Sequence, residues 1–313
     1  MEEKNTLFAL SEGKIITTLD EEGILVVRIN RENVMGALDP EASGMMEDVL
    51  NAAEKDAAVR AIILTGTGKG FCTGEDLAAN SENGGCLTVM EHGFGGMTKR
   101  VSSKPIICAA NGHCIGGGLE IALSCDIVVA SERAKIGLTE VKVGFIASTG
   151  GLVKLPKIIS PKIASELVLT GSLITAQRAL ELGMINYVVP VEEVMPKAME
   201  LARTIVANAP ISLKLSKMIM HAAQQCSAED TQRMCDIAWD YIEKTEDGKE
   251  GPLAFTEKRK PNWQNRSSPT HPFVFERSPA PCRRPASINK IFGGIYYGFP
   301  YYRRAGTDCS GYC

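Results

Sequence analysis

Apolar, β-branched positions and polar breaks alternate along the first half of the chain and predict short strands. Residues 14–19 and 24–29 read as a hairpin across Asp20-Glu21-Glu22-Gly23. Asp39-Pro40 opens a helix running to about Asp56, with Asp39 as cap and Pro40 at the first helical position, where its missing N–H breaks no hydrogen bond. Ala61-Ile62-Ile63-Leu64-Thr65 is an apolar run rich in β-branched residues and predicts a buried strand. Residues 105–110 and 126–130 repeat that signal, with a helix or loop between strands. From residue 160 the pattern is helical, with Ala-rich stretches at 192–208 and 212–225. This is a ββα rhythm followed by helices, and it predicts an α/β protein.

Chemistry enters at two glycine-rich breaks. The first is Asn111-Gly112-His113-Cys114-Ile115-Gly116-Gly117-Gly118-Leu119-Glu120, between a predicted strand and a helical pattern. Glycine lets a ligand approach the backbone, and a helix start leaves N–H groups without intrahelical acceptors. An oxygen gaining negative charge is stabilised there. Glu120 lies one turn further on. Alone, the triplet reads as a tight turn that permits close packing. The second break, Gly66-Thr67-Gly68-Lys69-Gly70-Phe71-Cys72-Thr73-Gly74-Glu75-Asp76-Leu77, shifts the balance, because it also follows a buried strand and can present amides. Neither segment has the P-loop spacing: Gly68-Lys69 is followed by Gly70, not by Ser or Thr. The dinucleotide G-x-G-x-x-G frame is absent from the triplet as well.

These segments resemble the crotonase superfamily, and within it the enoyl-CoA hydratases. Further matches are Asp126 entering the next strand, Ala134-Lys135-Ile136-Gly137-Leu138-Thr139-Glu140, Gly150-Gly151, Leu169-Thr170-Gly171, Ala176-Gln177-Arg178-Ala179, Leu182-Gly183-Met184-Ile185, and Glu250-Gly251 through Phe255-Thr256-Glu257-Lys258-Arg259. The resemblance covers roughly residues 12–266. It implies a crotonase (ClpP-like) spiral of ββα repeats over residues 1–190 and a C-terminal helical region over 191–266 that builds trimers, often paired into hexamers. It also implies an acyl-CoA thioester as substrate, so coenzyme A arrives as part of the substrate and no separate cofactor or metal is expected.

The same resemblance assigns residues. The backbone N–H groups of Glu75 and Gly117 become the two donors to the thioester oxygen. Glu120 and Glu140 occupy both glutamate positions of the hydratases, Glu120 for the water that attacks C3 and Glu140 for the C2 proton, with the pair coupled. Both acids together favour hydration or dehydration over Δ3–Δ2 isomerisation, which is the first alternative. A catalytically silent CoA-binding or scaffold member is the second. Arg31 through Ala37-Leu38 resembles the N-terminal CoA-binding loop, with Gly36 where relatives carry Asn. Thr73, Gly74, Asp76 and Gly116 fall in the loops that meet CoA, and Phe255 and Lys258 match residues that reach CoA from a neighbouring subunit. Gly93-Phe94-Gly95-Gly96-Met97-Thr98, Leu155-Pro156-Lys157 and Gly251-Pro252 resemble the carnitinyl-CoA dehydratase branch. Glu75 replaces a small or aromatic residue, and Ala147-Ser148-Thr149 replaces a Pro-containing stretch. The extra acid at 75 suits a cationic acyl group or points to solvent.

Composition adds little and excludes some classes. The 313 residues are 44% hydrophobic with a net charge of −3, which gives no basic surface for nucleic acid. No apolar run is long enough to span a membrane, and Met1-Glu2-Glu3-Lys4-Asn5 does not read as a signal peptide, so none is expected. Ten scattered cysteines without a C-x-x-C fit buried small residues in a reducing cytoplasm. His92, His113 and His221 stand singly and read as structural or solvated. Residues 79–96, rich in Gly, Asn and Ser, predict a mobile flap over the acyl pocket. Residues 267–313 break the pattern: they hold nine of 18 aromatics and six of 15 prolines, and carry a net +4. They are expected to be a disordered or non-native tail, dispensable for activity.

Overall fold

The computed structural model describes residues 6–82 and 90–266, which fall within one compact unit. Its first sheet is made of β1 (Ile15–Leu19), β2 (Ile24–Ile29), β3 (Ala61–Gly66), β5 (Ile106–Ala110), β7 (Ile127–Ser131) and β10 (Tyr187–Val189), in that spatial order. β1 and β2 form the predicted antiparallel hairpin; every other pairing is parallel. The Asp20 carboxylate accepts the amides of Glu22 at 3.0 Å and Ile24 at 2.8 Å, which closes the hairpin turn. β3 and β5 are buried along their whole length, as strands covered on both faces must be.

A second sheet of very short strands escapes sequence reading. β4 (Gly70–Cys72), β6 (His113–Ile115), β8 (Lys135–Gly137) and β9 (Ile174–Thr175) lie side by side in that order. Two or three residues are too few to show an alternating period. The chain visits both sheets in each repeat, β3 then β4, β5 then β6, β7 then β8, so the ββα rhythm is a spiral with one strand per sheet at each turn. Helices α2 (Leu77–Glu82), α3 (Gly117–Ala122), α4 (Gly151–Ile158), α5 (Pro161–Thr170) and α6 (Ala176–Glu181) connect these turns.

Helix α1 (Pro40–Lys55) starts as predicted: Asp39 accepts the Ala42 amide at 2.8 Å, and Pro40 is the first helical residue. Met46, Val49, Leu50 and Ala53, spaced three and four apart, bury one face of α1 in the main core. Burial alone would raise the Asp39 carboxyl. Lys14 at 2.7 Å, the Ala42 amide and Arg31 at 3.0 Å outweigh it and hold Asp39 below the usual carboxylate range.

Residues 90–96 differ from the flap expectation. Phe94-Gly95-Gly96 is a buried turn, and α2 occupies 77–82; residues 83–89 lie outside the described residues. The glycines here serve packing: a Cβ on Gly96 would stand 2.7 Å from Glu47 Cα, and one on Gly95 3.0 Å from Leu38.

Helices α7 (Val194–Val206), α8 (Pro210–Ala223), α9 (Ala228–Ile242) and α10 (Glu246–Glu257) follow the spiral. α7, which the division at residue 191 assigns to the helical region, covers the other face of the first sheet through Val194, Ala198 and Ala202, packed on Ile63, Ile107 and Val129. Lys217 ties α8 to the spiral through Asp126 at 2.7 Å and the Lys104 carbonyl at 2.6 Å. α9 and α10 leave Ile237, Trp239, Leu253 and Phe255 exposed. Among the described residues no helix is long and apolar enough to cross a membrane. The predicted tail, 267–313, lies outside the described residues.

Candidate active site

The glycine triplet brings the two breaks together. Gly116 precedes α3, and Gly117 is its first residue, so the Gly117 N–H has no intrahelical acceptor. A Cβ on Gly118 would stand 1.9 Å from the Cys72 carbonyl oxygen, and one on Gly117 2.6 Å from the Phe94 ring. Only glycine lets the α3 start lie against the end of β4. The register Cys72↔Cys114 places these two chain segments side by side. A Cβ on Gly74 would lie 3.2 Å from the Gly117 nitrogen, so the amide at 117 adjoins the loop carrying Glu75.

Thr73, Gly74, Glu75, Gly116, Gly117, Glu120 and Glu140 line one cavity of about 160 Å³, together with Leu77, Phe94, Thr139, Val143, Phe145, Ile146, Ser148 and Thr149. Among the described residues its charged lining residues are three carboxylates, with no lysine, arginine or histidine. The two glutamates predicted to act together sit in opposite environments. Glu120 is 3% exposed. Its Oε1 accepts the amides of Thr149 at 3.0 Å and Gly151 at 2.8 Å, and its Oε2 accepts the Thr149 hydroxyl at 2.5 Å. Both Glu140 oxygens are buried and make no hydrogen bond among the described residues. Burial pushes the Glu140 carboxyl up, and the nearby Glu120 adds to this; the amides of Glu140 and Thr139 oppose the shift without reaching hydrogen-bond geometry.

Glu75 lines the cavity, and its Oε2 is buried rather than solvated. Of the other expected CoA residues, Ala37, Leu38 and Asp76 do not line the cavity but adjoin its Gly74-Glu75 loop. Ala37 and Leu38 are buried; Leu38 N–H donates to Gly74 O at 2.9 Å, and Asp76 N–H to Leu38 O at 3.0 Å. Gly36 has φ +75°, and a Cβ there would meet the Phe71 carbonyl oxygen at 2.4 Å, which explains why Asn is absent. The Asp76 carboxylate pairs with Arg31 at 2.9 Å. Phe255 is 87% exposed, and Lys258 caps α10 in the left-handed conformation; neither lines the cavity of its own chain.

Three thiols are set aside as nucleophiles. Cys72, Cys108 and Cys114 are buried, and burial pushes Cys72 up to about 12 and the other two well above the usual thiol value. His92 pairs with Glu47, and His113 Nδ1 accepts the Lys135 amide at 3.2 Å. Sequence reasoning missed Thr149 as a partner of Glu120. The available signal was the departure Ala147-Ser148-Thr149 just before Gly150-Gly151.

A family model described as enoyl-CoA hydratase/isomerase matches residues 20–266. A short-chain-enoyl-CoA hydratase of Clostridium acetobutylicum is 38% identical over 250 residues, covering 77% of this chain and 95% of that protein. A carnitinyl-CoA dehydratase of Salmonella arizonae is 36% identical over 248 residues, covering 77% and 95%. Among solved structures, an enoyl-CoA hydratase from Mycobacterium tuberculosis superposes with a TM-score of 0.77 at 34% identity, covering 82% of this chain and all of that one.

Proposed function

The chain belongs to the enoyl-CoA hydratase/isomerase family, and we propose that it adds water reversibly across the C2–C3 double bond of an enoyl-CoA thioester. The contrast between the two glutamates carries this reading. Glu120, fixed by three hydrogen bonds, takes a proton from the attacking water as its oxygen bonds to C3. The C2–C3 π electrons move to the thioester oxygen, where the amides of Glu75 and Gly117 receive the charge. Preset donors of this kind each contribute about 3 kcal/mol to the transition state. Glu140, kept protonated more readily by its burial, delivers its proton to C2. Proton exchange between the two carboxyls then restores the starting state.

Asp76, Thr73, Gly74 and Gly116 frame the CoA path, while Phe255 and Lys258 serve a neighbouring subunit in a trimer or hexamer. The exposed apolar residues of α9 and α10 support that assembly. The free thiols are in keeping with a cytoplasmic location. A carnitinyl-type, cationic acyl group is favoured by Glu120 and Glu140 lining the cavity beside the rings of Phe94 and Phe145. The test is loss of conjugated-thioester absorbance with crotonyl-CoA and a panel of enoyl-CoAs. Glu120→Gln and Glu140→Gln should each nearly abolish it; an unchanged rate in either variant removes that residue from the mechanism. Conversion of a Δ3 to a Δ2 enoyl-CoA without water uptake would assign the isomerase activity instead.

A further inference from the structure

We propose that the Thr149 hydroxyl is a positioning group that sets the plane of the Glu120 carboxylate for its work on water. This rests on the hydratase reading above. The two backbone donors to Glu120, from Thr149 and Gly151, both converge on Oε1. Those two bonds hold Oε1 and give Oε2 no backbone partner. The Thr149 hydroxyl is the donor to the other oxygen, at 2.5 Å, and that third contact fixes the plane. An ionised carboxylate only accepts, so the hydroxyl proton is directed to Oε2, and the hydroxyl's remaining acceptor capacity is left for the cavity that Thr149 lines.

The turn that carries the hydroxyl is itself held. Ala147 is buried, Gly150 has φ +153°, and a Cβ on Gly151 would meet the Ala147 Cβ at 2.8 Å. A β-branched side chain on such a turn has few rotamers, so the hydroxyl is presented without a search. Among the described residues Glu140 has no comparable donor. The turn therefore fixes one carboxyl of the pair and leaves the other alone. Small errors in placing a catalytic group are costly in rate.

Thr149→Val removes the hydroxyl at nearly constant shape, and Thr149→Ser keeps it; Thr149→Ala stands in if the valine variant melts early. With the enoyl-CoA that native protein hydrates, Thr149→Val should lose at least about tenfold in kcat while KM stays within about twofold. Thr149→Ser should remain within about threefold of native. On a Glu120→Gln background, Thr149→Val should cause no further loss. A native-like kcat in Thr149→Val, equal damage in Thr149→Ser, or the same fractional loss on the Glu120→Gln background each overturns the proposal while the hydratase reading stands. Native protein that hydrates no enoyl-CoA overturns both.

Discussion

Glu140→Gln should make the protein more stable while making it nearly inactive. Both carboxylate oxygens of Glu140 are buried without a hydrogen bond among the described residues, and burial raises the carboxyl above its ordinary value. A group whose folded pKa is raised favours the folded state in its protonated form. That contribution is full below the unfolded value and is lost as pH rises through the folded one. As pH rises through that folded value the buried carboxyl takes on a charge that disfavours the fold, a charge the amide never carries. A buried group left unsatisfied costs about 1–3 kcal/mol. The glutamine amide still lacks partners, so about 1 kcal/mol of that is recovered. For a chain of this size, 1 kcal/mol corresponds to about 2–4 °C in Tm. The same change removes the proton donor to C2 and should lower kcat by about 10²–10⁴-fold. Thermal melts at pH 8 and pH 4.5, with the hydration assay in parallel, measure both effects; the stability gain should shrink at the lower pH. A glutamine variant less stable than native at pH 8, or a gain that does not vary with pH, would refute the electrostatic argument. Retained activity would refute the catalytic one.

Glu75→Gln should raise KM for a trimethylammonium enoyl-CoA and spare crotonyl-CoA; equal effects on the two substrates would dispose of the charge-selection idea. Gly117→Ala places its Cβ 2.6 Å from the Phe94 ring, so a folded variant with about a hundredfold lower kcat is expected. Gly118→Ala meets a backbone oxygen at 1.9 Å, and expression of soluble protein should fail; circular dichroism and yield separate the two cases. Asp39→Asn should cost about 2 kcal/mol at pH 7, read from urea midpoints. Because the folded Asp39 carboxyl lies below its ordinary value, its contribution is present above that value and lost as pH falls through the folded one. The variant and the native protein should therefore converge in acid, and a constant difference across pH would argue for cap geometry alone.

The long apolar runs that became β3 and β5 were legible because strands covered on both faces leave an unbroken hydrophobic signature. The Asp39-Pro40 start of α1 was legible because its chemistry is local. Glu120 and Glu140 could be paired by their place in a family pattern, and the structure brings both to one cavity. The second sheet was hidden by strands of two or three residues. The turn at Phe94-Gly95-Gly96 misled because glycine that permits close packing has the same composition as glycine that permits motion. Whether Glu75 faced solvent or the cavity depended on backbone direction after Gly74, which a single sequence does not encode locally. The Thr149 contact joins residues 29 apart, and its one local trace was the departure Ala147-Ser148-Thr149.

The amide pair and the acyl wall come from different parts of the fold. Register between adjacent strands, together with glycine contacts, sets where the two N–H groups stand. Most of the wall of the proposed acyl site, Phe94, Val143, Phe145 and Ile146, stands on segments that supply neither amide, and Leu77 alone follows Glu75. Substitutions in that wall can reshape which acyl chains fit while the chemistry stays in place. Retuning this protein in the laboratory toward bulkier or differently charged thioesters should therefore begin at Val143, Phe145 and Ile146, with the glycines left untouched.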